Sequence, residues 1–83
     1  MKYIVVRGPG GEVPILFSRS LYHRSVANQF GGPMAVVSAG FARMSESGIE
    51  CFGSSSSLGI GARPDADTEL VRRHLESSPE KPG

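Results

Sequence analysis

The sequence predicts an α+β domain: a mostly antiparallel sheet of four to five strands with two helices on one face, in the order β-β-α-β-β-α. Two observations carry this reading. Runs of β-branched and aromatic residues are bounded by Gly/Pro clusters, as at KYIVVR, EVPILF and MAVVSAGFARM. Two further segments place apolar residues at helical spacing, around Val26 and around Val71.

Lys2 to Arg7 read as a strand, Gly8-Pro9-Gly10-Gly11 as a turn, and Glu12 to Phe17 as a second strand, together a hairpin. Pro14 cannot donate to a ladder, so this strand is expected at a sheet edge, or with Pro14 near its start. Ser18 to Gly32 follow as a short amphipathic helix capped by Ser18 or Ser20, with Tyr22, Val26, Ala27 and Phe30 on its stripe and Gly31-Gly32-Pro33 as its stop. Met34 to Met44 form a third strand. Val37, Ala39 and Phe41 point one way; Val36, Ser38, Gly40 and Ala42, a mostly small set, point the other, where a helix can approach closely or Gly40 can mark a bulge. Ser45-Glu46-Ser47-Gly48 turns the chain into a strand from Ile49 to Gly53. Ser54 to Gly61 read either as a loop or, through the alternation of Leu58 and Ile60, as a short extra strand. Asp65 to Ser77 form the second helix, with Leu70, Val71, His74 and Leu75 as its stripe and acids in its first turns, where the helix dipole favours them. The domain is expected over residues 1–77 and a disordered tail over 78–83. Val26, Phe30, Val71 and Leu75 are the expected helix-side core.

At 83 residues there is room for one core and little else; chains of this size bury only about 60% of their unfolded surface. The composition, 39% hydrophobic and 20% charged, is that of a folded domain. A net charge of +1 does not favour nucleic acid as the partner. The single cysteine, Cys51, excludes an internal disulfide, and no run approaches the about 20 apolar residues of a membrane span. A cytoplasmic location is expected.

No catalytic residue is assigned. His23, expected to face solvent, His74, expected to be packed, and Cys51 lack the paired spacing of a zinc site, so neither metal nor cofactor is expected. Cys51 reads as a buried, inert thiol on the opposite strand face from Glu50 and Phe52. Asp65-x-Asp67-x-Glu69 imitates half a calcium loop, but Leu70 stands where its glycine is needed, and the acids read as a helix start. Ser54, Ser55, Ser56 and Ser57 with Gly59 and Gly61 suggest an anion-cradling loop, yet the segment ends Gly61-Ala62-Arg63 without the lysine of a phosphate loop. Ser54, Ser55, Ser56, Ser57, Arg63, Arg72 and Arg73 are the expected partner-binding residues.

The strings Glu12-Val13-Pro14-Ile15-Leu16-Phe17, Val36-Val37-Ser38-Ala39-Gly40-Phe41, Ser57-Leu58-Gly59-Ile60 and Arg63-Pro64 resemble small uncharacterised proteins of bacteria and their phages, over residues 1 to about 76. That resemblance implies no site and no assigned activity. The function expected is a non-enzymatic protein-binding module, in the manner of a phage-type inhibitor of a host or defence complex. A homodimer is expected through an uncovered apolar sheet face. The alternative is a small anion- or nucleotide-binding or enzymatic domain using the Ser54–Arg63 loop.

Overall fold

The structure, a computed structural model, describes residues 1–76; the tail expected over 78–83 lies outside the described residues. Strand β1 (Lys2–Gly8) and β2 (Gly11–Phe17) form the first hairpin. Helix α1 (His23–Ala27) and a 3-10 turn (Pro33–Ala35) lead to β3 (Val36–Ser45), which pairs with β4 (Gly48–Phe52). Two short strands, β5 (Ser54–Ser55) and β6 (Ile60–Gly61), precede helix α2 (Pro64–Glu76). The main sheet is antiparallel in the order β2-β1-β3-β4, and β5 and β6 make a separate ladder. The Ser54–Gly61 segment is thus a small hairpin.

The helices do not share a face, contrary to expectation. Alternation along β1 sends Tyr3 and Val5 to one side and Ile4 and Val6 to the other. Tyr3 and Val5 pack with Ala42, Cys51 and Val71 of α2. Ile4 and Val6 pack with Val26 and Ala27 of α1, and with Leu58 and Ile60. Among the described residues, α2 covers the sheet face that carries Tyr3, Val5 and Val37, which the dimer expectation had left open.

The small face of β3 does receive a helix. Ser38 bonds α2, and a Cβ on Gly40 would stand 2.4 Å from the Phe52 carbonyl oxygen and 3.2 Å from Ala62 Cβ. The bulge lies at Val37 rather than Gly40: Val5 opposes Ser38 while Val6 opposes Val36. The extra residue swaps the two valines, sending Val36 to the α1 side and Val37 to the α2 side.

Helix α1 is shorter than expected. Tyr22 is its N-cap without a side-chain bond, and Ser18 instead organises the preceding turn, accepting the Ser20 amide at 3.1 Å. The helix ends at Asn28, so Phe30 lies beyond it and is 46% exposed; Leu75, past the Val71 contact on α2, is 47% exposed. Both leave the expected core, whereas Val26 and Val71 stay in it. The histidines also exchange places: His23 is buried and His74 exposed.

Both sheet margins are guarded. Met1 and Ala42 exchange reciprocal backbone bonds, which fixes the alternation across the sheet: odd residues of β1 bond β3 and even ones bond β2. Pro14, opposite Val5, therefore turns its missing N–H to the outer edge, as its place in an edge strand requires. At the other margin the Cys51 amide donates to Thr68 Oγ1 at 2.9 Å. Among the described residues no helix is long and apolar enough to cross a membrane.

Candidate functional site

Helix α2 begins at Pro64, a residue suited to a first helical position. Asp67, one turn in, is fully buried. Its Oδ2 accepts from the Tyr3 hydroxyl at 2.5 Å and from the Arg63 amide at 2.8 Å; its Oδ1 accepts from Ser38 Oγ at 2.9 Å and Arg63 Nε at 3.0 Å. The Arg63 guanidinium also forks onto Glu12 at 2.8 and 3.2 Å. Burial, and then the bond to Asp67, push the Tyr3 phenol far above its ordinary range. Arg63 holds the Glu12 carboxyl below its usual value, and Glu12 in turn raises the guanidinium. This network joins β1, β2, β3 and α2. Four donors fill the lone pairs of Asp67, which leaves no free acceptor there for a substrate.

The residues expected to meet a partner do not converge. Arg63 is engaged by Asp67 and Glu12, while Arg72 and Arg73 both pair with Glu69, at 2.5 and 3.2 Å. Ser55 is buried, and its Oγ accepts the Leu58 amide. Ser57 receives Arg24 on its carbonyl, and Ser54 and Ser56 are exposed. The serine segment is the wall of the α1-side core. Cys51 is buried, and burial raises its thiol pKa, which leaves a weak nucleophile. Among the described residues no group of three or more His, Cys, Asp or Glu side chains could hold a metal ion.

The open feature lies on the α1 side, at the β3–β4 end. A groove of about 350 Å³ is lined by Met1, Arg19, Phe41, Ala42, Arg43 and Phe52. The β3–β4 register sets Phe41 opposite Phe52 and Arg43 opposite Glu50, and all four share one face. The phenyl rings lie 5.9 Å apart, and the Arg43 guanidinium lies 4.6 Å over Phe52 while its Nε bonds Glu50 at 3.1 Å. His23 backs the floor with an edge-on contact to Phe41 at 5.8 Å. Its Nε2 stands 2.8 Å from the Gly40 carbonyl, so that nitrogen carries the proton and donates. Burial lowers the His23 pKa.

Glycine is required at the end of β4. Gly53 has φ +81°, and a Cβ there would stand 2.9 Å from the Phe41 ring. Arg19 is delivered by the Ser18–Leu21 turn, which Lys2 pins through a 2.7 Å bond to the Leu21 carbonyl. Arg19 makes no ion pair among the described residues. Alternation alone puts Phe41 on one face of β3 and Phe52 opposite Cys51 on β4, but it does not bring the two rings together. The signal that could have found the groove is the turn at 45–48, which sets the register and so aligns both the Phe and the Arg/Glu pairs.

Comparison of the chain with protein-family models, with curated proteins and with solved structures gave no match.

Proposed function

We propose that this protein is a non-enzymatic binding module that seats a short acidic segment of another protein in the Phe41–Phe52 groove. The observation that carries this is the contrast between the two polar regions. The buried one, around Asp67, is saturated by the chain's own donors, and no buried side-chain N or O among the described residues lacks a partner. The groove combines a half-buried phenylalanine pair with Arg19, which has no carboxylate partner among the described residues, and Arg43. Apolar walls with a few placed polar groups are what a recognition site requires.

Charge complementarity selects the occupant. Phosphate chains need several cations in a row. Here Arg24 is held by Ser57, Lys2 by Leu21 and Arg43 in part by Glu50. What remains suits one or two carboxylates beside an apolar side chain. Occluding a partner surface, in the manner of an inhibitor, would be one use of such a module.

A displayed library of random peptides tests the reading. Wild type is expected to enrich peptides with an acid next to a Leu, Phe or Met, and Arg19→Glu with Phe52→Ala to lose them. Enrichment that survives the double variant, or displacement of the selected peptides by oligo-dT, would overturn it.

A further inference from the structure

One of the chain's own carboxylates, Glu50, stands beside the groove. We infer that Glu50 is a built-in competitor: it holds the Nε of Arg43 in the free protein, and an incoming carboxylate gains a two-pronged hold on Arg43 only by displacing it. This rests on the proposed reading of the groove and adds the residue that sets how strongly an acidic segment must bind.

The geometry is specific. Arg43 and Glu50 face each other across β3 and β4, one pair out from Phe41 and Phe52. Arg43 is clamped from two sides, with Phe52 beneath its plane at 4.6 Å and Glu50 on its Nε at 3.1 Å. The Phe52 contact fixes the guanidinium at the groove and leaves the Nη edge free to donate, because the single bond to Glu50 uses Nε. Arg43 and Glu50 are 62% and 51% exposed, so their bond is water-screened and readily exchanged. A buried pair would hold Arg43 shut; this one only raises the threshold. Glu50 also stands as a like charge beside any carboxylate that enters, so it weakens acidic segments and leaves uncharged ones alone.

The test uses two dye-labelled peptides, Gly-Ser-Asp-Leu-Glu-Phe-Gly and its amide twin Gly-Ser-Asn-Leu-Gln-Phe-Gly, titrated by fluorescence anisotropy. The proteins are wild type, Glu50→Gln, and Arg43→Gln with Glu50→Gln. The expected result is that Glu50→Gln binds the acidic peptide about five-fold more tightly than wild type, with no gain for the amide twin, and that the double variant loses the gain. If the acidic peptide binds wild type and Glu50→Gln equally, or if both peptides gain alike, Glu50 is no competitor, although the groove reading stands. If the acidic peptide binds none of the proteins, both readings fall. Unchanged thermal melting of the variants, expected for two exposed side chains, shows that the differences arise at the groove.

Discussion

Tyr3 and Asp67, 64 residues apart in sequence, share a 2.5 Å hydrogen bond in the interior, and that bond fastens the last helix to the first strand. Neither group can be removed at the same cost. Tyr3→Phe deletes one of four donors to Asp67 and is expected to cost about 1–2 kcal/mol. Asp67→Ala strands Arg63, Tyr3 and Ser38 together and is expected to cost about 3–5 kcal/mol, close to the whole stability of a small domain. Urea unfolding of the two variants, read side by side, checks the order. Equal losses would mean that the carboxylate is not the hub.

Acid should act through two groups. Burial disfavours the His23 imidazolium in the folded state, so its folded pKa lies below the ordinary 6.5, despite the opposing pull of the Gly40 carbonyl. The unfolded chain takes that proton first. The contribution of neutral His23 is complete above pH 6.5 and is lost as pH falls through the lower folded value. Glu12, whose folded pKa is depressed by Arg63, adds a second loss that begins below 4.5. Urea midpoints followed across the acid range should show both steps, and Glu12→Gln should remove only the lower one.

The glycines separate by what surrounds them. Gly40→Ala would drive a methyl into the Phe52 carbonyl, and Gly53→Ala into the Phe41 ring, the latter at a positive φ. Each is expected to cost about 2–3 kcal/mol. Gly59 also has a positive φ, +67°, but meets open space, so Gly59→Ala should cost only the conformational part, about 1–2 kcal/mol. Thermal melts of the three variants test the ranking.

Phe30→Ala should be nearly silent, below about 1 kcal/mol, because an exposed ring has little burial to lose. Val71→Ala, at a fully buried position, should cost about 2 kcal/mol or more. Chemical denaturation of the pair decides whether α1 ends where the structure ends it.

The hairpins, the edge placement of Pro14, the small face of β3 and the burial of Cys51 were legible because each follows from residue type and period-two alternation. Four things were not. The bulge at Val37 depends on how two strands meet, and reversing two like-sized valines leaves no mark in composition. Asp67 looked like Asp65, an acid at a helix start; only the arrival of Tyr3 and Ser38 from distant strands separates them. Helical spacing runs on through Phe30 and Leu75, beyond the length of helix that touches the sheet, and so puts His74 in the stripe and His23 outside it. The groove is hidden for a simpler reason: its residues come from separate segments, and pairing register, rather than periodicity, brings Phe41 to Phe52.

The guarded margins bear on how the chain behaves in a crowded solution. Fibrils grow when a bare strand offers an unbroken row of amides and carbonyls to its neighbour. Here one margin is interrupted by Pro14, and the other gives up its Cys51 amide to Thr68. A second copy arriving along either side meets a broken template. Contact with other molecules is thereby left to side chains, which can discriminate among them, and denied to the backbone, which cannot.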